Sequence, residues 1–275
     1  MSLVTNWYVS RDEVKRHLKI LDTREDATLD DIIAGVSRQI DRHCGRSFFA
    51  RSGTRTFTAQ STTRVLLPND DLLAVTTLKT DEDADLSYAT TWLTADYVLL
   101  PSNALQESPP QPYWDIRVAP SGAELFPTTL LGVQIVGSWG YYQVLRRAAS
   151  LLSAAISSTT ATTCTVDNAG DFETGQTLKI DSEQVFISNI DNDTLTIERG
   201  VNGTTAATHL DNAAIDIYTY PVVSDACRLQ CQQEYWAKDA RGGVIGSSEM
   251  GPIRLAALHP LAMRLLRDFV RQGLA

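Results

Sequence analysis

The 275-residue sequence is poor in the residues that most enzyme chemistry requires. It contains only four histidines, and each lies on a different segment of the chain. No G-x-S-x-G elbow marks a nucleophilic serine, and no G-x-x-x-x-G-K-[ST] or G-x-G-x-x-G loop marks a phosphate site. These absences predict a protein that is not an enzyme, with no catalytic residue, no cofactor and no metal site.

The four cysteines do not form a metal-binding pattern either. Cys227 and Cys231 are four residues apart, as on one helix face, and could supply two ligands. However, no second cysteine pair or histidine pair completes a zinc site. We therefore expect the cysteines to be small buried side chains in a reducing environment.

Long apolar runs and positive charge are also scarce. No apolar run approaches the roughly 18–20 residues of a membrane-spanning helix, so no membrane partner is expected. The formal net charge of −9 argues against tight electrostatic binding of nucleic acid. The charge is uneven: Lys and Arg number 4 against 10 Asp and Glu in residues 144–219, but 7 against 5 in residues 220–275.

Two helices are predicted near the N terminus. Ser10 and Glu13 have capping-box spacing, which predicts a helix to about Leu21. A second helix is predicted from Thr28, because apolar residues then recur at helical spacing, and Gly45 is suited to end it. The apolar face of this second helix consists of Leu29, Ile32, Ile33, Val36 and Ile40.

Two further helices are predicted near the C terminus. Ser224 can cap one that runs to about Ala240, and Pro260 can begin the last. The last helix carries an apolar stripe beside a basic stripe. Such a helix can pack within its own domain or dock on a partner. Its candidate docking residues are Arg264, Leu265, Arg267, Phe269 and Arg271.

Between the helical ends, the hydrophobic period changes to two. Six strand candidates lie before residue 143, and five short ones lie in residues 150–219, at the close spacing typical of a small barrel or sandwich. We therefore predict an α+β fold. Its helical core, with a β-hairpin or small sheet, comprises residues 1–143 and 220–275, and residues 150–219 form an inserted all-β domain.

Two segments allow a binding interpretation beside a structural one. Asp81–Asp85 is acidic, but it lacks the glycine and terminal glutamate of an EF-hand loop, which favours a solvated hairpin tip over a cation site. Arg199–Gly203 could form an anion-binding nest. We favour a turn that braces the β-domain, and we expect His209 to hydrogen-bond there rather than bind metal.

Three stretches of the outer segments resemble the head–tail connector, or adaptor, family of tailed phages. One is the Ile40–Phe48 segment with its Cys-Gly-Arg-Ser-Phe run, and another is the Gly-Ser-Trp-Gly run that ends at Gly140. The third joins Gln233-Glu-Tyr-Trp236 to Gly251-Pro-Ile-Arg254 and His259-Pro260. Residues 150–219 resemble a small β-domain that recurs in phage virion proteins, although typical adaptors lack such an insertion.

The resemblance implies a structural virion protein, made in the bacterial host cytoplasm and located in the neck between capsid and tail. It implies a homo-oligomeric ring of about twelve copies, which joins the portal protein to the stopper or tail-completion protein. Genomic DNA would pass through the lumen during packaging and ejection without specific binding. The C-terminal helix would dock on the portal. The subunit-interface candidates are Leu29, Ile33, Arg38 and Arg42.

A different functional class is also open. The β-domain could be the recognition module of a virion decoration or a host- or glycan-binding component, with the helical part as its anchor. Sugar-binding platforms use exposed aromatic side chains, and this segment offers only Phe172, Phe186 and Tyr218. A cell-wall hydrolase is a third class, for which the sequence offers no acidic catalyst.

Overall fold

The contacts of the computed structural model divide the chain into two compact units. Unit 1 combines Met1–Gly45 with Leu145–Ala275, and unit 2 is Arg46–Val144. The β segment 150–219 is therefore grouped with the helices, whereas the predicted division sets it apart from them; its independence as an inserted domain stays a prediction. The structure describes residues 6–59, 63–107, 110–141, 144–238, 244–245, 253–254 and 258–271.

The described residues combine helices with a larger number of strand residues. The α+β prediction is confirmed in this coarse form, but the fold is mostly β and does not show a helical adaptor core. The helices are α1 (Arg11–Leu18), α2 (Asp26–Cys44), α3 (Val223–Ala237) and α4 (Pro260–Leu266). The strands are β1 (Arg51–Phe57), β2 (Val65–Leu66), β3 (Leu72–Thr80), β4 (Thr90–Thr91), β5 (Tyr97–Leu100), β6 (Asp115–Val118), β7 (Val133–Trp139), β8 (Val144–Leu151), β9 (Thr163–Thr165), β10 (Thr177–Ile180), β11 (Glu183–Asp191), β12 (Thr194–Glu198), β13 (Ala214–Thr219), β14 (Val244–Ile245) and β15 (Ile253–Arg254).

Capping residues fix the first two helices of unit 1. The Ser10 hydroxyl accepts a hydrogen bond from the Glu13 backbone N–H at 3.0 Å, as the capping box predicts. The helix ends at Leu18, earlier than expected, because Lys19 adopts a left-handed conformation. Gly45 ends α2 with a φ of 65°, which glycine adopts without strain. No helix among the described residues is long and apolar enough to cross a membrane.

The helix α3 packs against α1, α2 and α4. Its predicted cap is wrong: Val222 precedes the helix with a φ of 67°, and the Ser224 hydroxyl donates to the Tyr220 carbonyl at 2.9 Å instead of capping. The predicted glycine-rich connection after α3 lies largely outside the described residues. Pro260 begins α4 as expected, with His259 as its N-cap.

Six strands of unit 1 form a closed barrel in the order β8-β13-β10-β11-β12-β9. A bridge between Leu152 and Val166 closes it, and the Asp167 N–H donates to the Leu151 carbonyl at 3.1 Å. Closure removes the exposed strand edges that would otherwise pair with other chains. The barrel interior contains Leu152, Val166, Leu178, Ile180, Val185, Ile187, Leu195, Ile197, Ile215 and Ile217.

Unit 2 consists of two antiparallel sheets around one core. The larger has the order β1-β7-β3-β4 and the smaller the order β2-β6-β5. The Trp92 and Phe126 rings stack in this core with centroids 4.5 Å apart. The other fully buried members of the core include Leu66, Leu72, Ile116, Val133, Ile135 and Trp139.

The segment before α1 connects the barrel of unit 1 to its helices. The Trp7 ring packs edge-on against Phe186 of the barrel, with centroids 5.4 Å apart. The Tyr8 N–H donates to the Ser37 hydroxyl of α2 at 3.2 Å. On the barrel side, the backbone at Gly175 touches the Trp7 ring, where a side chain would not fit. We call Trp7 and Tyr8 the wedge, because Trp7 packs against the barrel and Tyr8 binds α2.

Replacing Gly175 with Ala should destabilise the protein by about 1–3 kcal/mol. The added Cβ would lie 2.1 Å from Trp7 Cε3, and the φ of +96° is unfavourable for any side chain. Gly35→Ala in α2 is the matched control, since nothing lies within 4 Å of its added Cβ and alanine favours the helix. Urea unfolding measures both variants. An unchanged midpoint for Gly175→Ala would contradict the wedge.

Candidate functional site

A buried charge network lies at one end of the barrel. The Glu183 side chain has no exposed surface, and the Arg199 guanidinium binds it through Nε and Nη2, each at 2.7 Å. The backbone N–H groups of Gly200 and Ala207 donate to the same carboxylate at 2.9 and 3.0 Å. His209 Nε2 lies 2.8 Å from it.

This network is structural rather than catalytic. Burial alone would raise the pKa of Glu183, but hydrogen bonds from Arg199, Ala207, His209 and Gly200 outweigh burial and lower it to about 2. No substrate can reach the carboxylate or the almost fully buried imidazole of His209. The expectation that this turn braces the β-domain, with His209 hydrogen-bonded inside it, is confirmed.

The cysteines of α3 are packed in the core of unit 1. The Sγ atoms of Cys227 and Cys231 lie 4.0 Å apart, and Cys227 Sγ is 3.8 Å from the Ser37 hydroxyl. Burial raises the pKa of Cys231, and the neighbouring thiol of Cys227 raises it further. The Cys231 thiol therefore stays protonated at neutral pH, and both sulfur atoms are buried away from solvent.

The acidic loop forms the connection between β3 and β4. The Asp81 carboxylate accepts hydrogen bonds from the N–H groups of Ala84 and Leu86 at 2.9 and 2.8 Å, which shapes the loop. Within the described part of the chain, the carboxylates of Asp81, Asp83 and Asp85 form the one group with three potential metal ligands, all within 4.8 Å. Exposed acidic groups of this kind are common without an ion, so the loop is a hairpin tip.

Two of the stretches that carry the adaptor resemblance meet inside unit 2. The Tyr141 N–H, just after the Gly-Ser-Trp-Gly run, donates to the Ser47 carbonyl at 2.9 Å. The Arg46 guanidinium lies over the Tyr141 ring, 4.7 Å from its centroid. A Cβ on Gly140 would be 2.2 Å from the Phe49 carbonyl oxygen, so only glycine fits there. Residues about ninety positions apart thus form one packed junction.

The C-terminal helix divides its predicted docking residues between two roles. Arg264 and Arg267 are exposed, and Leu265 is half-buried. Phe269 is buried within unit 1, and the Arg271 N–H donates to the Cys44 carbonyl at 2.8 Å. Because α4 packs its apolar side against α3, Phe269 is not available to a partner in this conformation. Of the predicted docking residues, Arg264 and Arg267 are the exposed ones, and their docking role stays a prediction.

The predicted subunit-interface residues are likewise divided by burial. Leu29 and Ile33 are completely buried, because the apolar face of α2 forms the core of its own unit. Arg38 donates to the Asn6 carbonyl at 3.0 Å and pairs with Asp41 at 3.2 Å, so it is part of the fold as well. Arg42 is exposed. As a correction, Leu29 and Ile33 cannot contact another subunit without unfolding α2.

The aromatic side chains that a sugar-binding surface would need are not exposed. Phe172, Phe186 and Tyr218 are all buried, at 4%, 1% and 6% of their full surface. The first two pack in the barrel interior and against Trp7, respectively. These three side chains are therefore not available to form a carbohydrate-binding surface.

Comparison with known proteins identifies one similar structure. No protein-family model matches the sequence, and no curated protein matches it. The chain is similar to a solved chain in the neck of an empty GTA particle computed with C6 symmetry. The identity is 14%, the match covers 98% of this chain and 92% of that one, and the TM-score is 0.45. A likeness at this level carries no argument about function.

Replacing Glu183 with Gln should destabilise the protein by about 3–5 kcal/mol, because the buried Arg199 charge loses its partner. The carboxylate also makes stability depend on pH. Its folded pKa of about 2 lies below the ordinary value of 4.5, so its contribution is present above pH 4.5 and is lost as the pH falls toward 2. Urea unfolding at neutral pH and along an acid titration measures both effects.

Asp181→Asn is the matched control for this experiment. The Asp181 carboxylate also contacts His209, at 2.8 Å, but its side chain is 66% exposed. Its replacement should cost less than about 1 kcal/mol, because exposed ion pairs contribute little. Equal losses for Glu183→Gln and Asp181→Asn would show that burial of Glu183 does not matter.

Proposed function

We propose that this chain is a structural protein of the neck of a tailed phage or phage-like particle. It would be made in the host cytoplasm and would assemble as a homo-oligomeric ring of about twelve copies. The ring would join the portal protein to the stopper or tail-completion protein. Its function would be assembly and passage of the genome, not catalysis.

The packed junction in unit 2 is the observation that carries this proposal. The run beginning at Cys44 and the run ending at Gly140 resemble the adaptor family as separate sequence motifs. In the structure, the residues that follow or belong to them bind each other through the Tyr141–Ser47 hydrogen bond and the Arg46–Tyr141 contact. The resemblance therefore concerns one structural feature rather than two unrelated short matches.

The accessible chemistry supports an assembly role as well. The Glu183 carboxylate is buried in the barrel, and the two thiols of α3 are buried as well. Exposed groups that can bind a partner lie instead on α4 and directly after it, where Arg264 and Arg267 accompany the exposed Leu261 and Met263. A basic and apolar helix surface fits an acidic and apolar groove, which is the surface we assign to the portal.

The net charge suits passage of DNA better than its retention. Residues 51–143 carry five Lys and Arg against ten Asp and Glu, and residues 144–219 carry four against ten. A predominantly acidic surface repels phosphates at short range and offers them no continuous row of cations. Genomic DNA would therefore move through the ring without specific contacts.

Gold-labelled antibody against the exposed turn at Asp191–Asp193, applied to purified tailed particles, tests the location. We expect label at the collar between head and tail, because the turn lies on the barrel surface. Label at the tail tip or fibres would contradict the neck assignment and favour host recognition. Immunoblotting of the same particles shows whether the chain is a virion component when no label is seen.

Reversing the exposed charges of Arg264 in α4 and of Arg267 directly after it tests the portal assignment. The double variant Arg264→Glu/Arg267→Glu should reduce incorporation into particles at least about tenfold, since a docking face would meet like charge. It should leave the fold intact, because neither side chain is buried. Arg24→Glu is the control: its side chain is 86% exposed and pairs only with neighbouring Asp22 among the described residues. Equal incorporation of the two variants would contradict the assignment.

A further inference from the structure

One end of unit 2 exposes leucines beside a dense negative charge. We name this surface the leucine tip and define it as Glu82, Asp83, Asp85, Leu86, Leu130 and Leu131. Leu86 and Leu130 are 59% and 76% exposed. Hydrogen bonds hold the two loops together: the Asp81 N–H donates to the Gly132 carbonyl at 2.9 Å, and the Tyr88 hydroxyl donates to the Leu131 carbonyl at 2.9 Å.

The tip maintains its apolar residues at a conformational cost. Leu86 has a φ of 64° and Leu131 a φ of 57°, a region that L side chains seldom occupy. The Asp81 carboxylate and the Thr58 hydroxyl bind the two backbone N–H groups and hold these conformations. Glycine would satisfy the same turns with less strain, so exposed leucine is not what the fold requires there.

The negative charges of the tip are crowded and have no cation among them. Residues 81–96 contain five Asp and Glu and no Lys or Arg. A hydrogen bond to Asp81 raises the pKa of Asp83, and repulsion from Asp85 raises it further. A positive group from outside the loop would relieve this repulsion.

Unit 1 contains a groove whose lining has more basic than acidic side chains. A groove of about 690 Å³ lies between the end of α1 and the barrel loop at Gly170–Glu173. We name it the α1 groove. Its lining comprises three basic, two acidic and four other residues: Lys15, Arg16, Lys19, Asp12, Glu173, Ile20, Leu21, Gly170 and Phe172.

The side chains of Leu21 and Lys19 in the α1 groove are exposed to solvent. The Leu21 side chain is 98% exposed, although leucine gains most from burial. Lys19 is exposed and makes no ion pair with any residue that the structure describes. By contrast, Lys15 and Arg16 are paired with Asp26 and Glu173, at 2.5 and 2.7 Å, and these pairs shape the wall of the groove.

We infer that the leucine tip of one copy binds the α1 groove of the next copy, and that this contact builds the ring. The inference rests on the proposed function, in which copies of this chain assemble. The charges are complementary, since Glu82, Asp83 and Asp85 would face Lys19, which has no ion pair within the described residues. The apolar groups correspond as well, because the exposed leucines of the tip would meet the exposed Leu21 of the groove.

The contact would be head-to-tail, because tip and groove are different surfaces of one chain. Each copy then offers one tip and one groove, and a constant rotation between copies closes a ring. Each copy would bury two small patches in the ring, so ring assembly would not require one large apolar face. The exposed leucines, unfavourable in an isolated chain, would be covered on assembly.

Variants that disable one side each test this contact on the full-length protein. Leu86→Gly disables the tip and should leave the thermal midpoint unchanged or raised, since glycine accepts the positive φ. Leu21→Asp disables the groove. Each should shift the oligomer-to-monomer transition to at least about tenfold higher concentration in mass photometry. Leu210→Asp is the control, since Leu210 is 80% exposed on another loop.

Mixing the two variants distinguishes this contact from a general loss of association. One intact tip and one intact groove remain, so the mixture should form dimers that cannot grow. In a second experiment, the double variant Lys19→Cys/Asp85→Cys should give a ladder of disulfide-linked species, while each single variant should give none. The four native cysteines are buried and do not interfere.

The contact is overturned if both leucine variants associate like Leu210→Asp, or if the double-cysteine variant gives no ladder in solution or in purified particles. These outcomes are separate from the test of location. Collar label without a ladder would leave the neck function standing and remove this contact. A ladder without collar label would establish the contact between copies and remove the neck function.

Discussion

The wedge formed by Trp7 and Tyr8 is the interaction on which the arrangement of unit 1 depends. Trp7 fills a space that only Gly175 leaves open, and Tyr8 binds α2 through the Ser37 hydroxyl. Apolar burial of two large rings supplies a stabilisation of several kcal/mol, on the order of 2 or 3 for each ring. Next to the wedge, α1 contacts the same barrel loop, since the Arg11 N–H donates to the Thr174 carbonyl at 3.0 Å and Arg16 pairs with Glu173 at 2.7 Å.

The barrel has two features that make it rigid. Closure through Leu152 and Val166 satisfies both edges of its sheet. The buried Glu183 carboxylate ties the loop from Arg199 to His209 onto the barrel and prevents that loop from moving freely. Both features are ways to make a surface rigid, and neither creates an open reactive site. The exposed chemistry that remains, on α4, the leucine tip and the α1 groove, is suited to contacts between proteins.

Local sequence patterns predicted the elements whose residues repeat regularly. The apolar face of α2 and its end at Gly45 follow from helical spacing and from the conformational freedom of glycine. The five predicted strands of residues 150–219 all occur in the barrel. Strand β8 was not predicted, because its sequence, VLRRAASL, places two arginines and two alanines together and lacks a clean alternation.

Long-range packing was much harder to predict than local structure. The apolar face of α2 identified the helix and also suggested subunit-interface residues. An apolar face alone does not show whether it packs against another subunit or in the core of the same chain. Leu29 and Ile33 proved to be core. The cap of α3 was wrong because Val222 occupies a left-handed conformation that no pattern indicates. The barrel contacts the helical part through pairs that are distant in sequence, such as Trp7 and Gly175, which are 168 positions apart.

The most direct test of the account is a cryo-electron microscopy reconstruction of the collar of purified tailed particles. We expect a ring of copies of this chain between portal and tail, with the barrel packed on its helices in every copy through Trp7. A collar whose density is fully explained by other proteins would contradict the account.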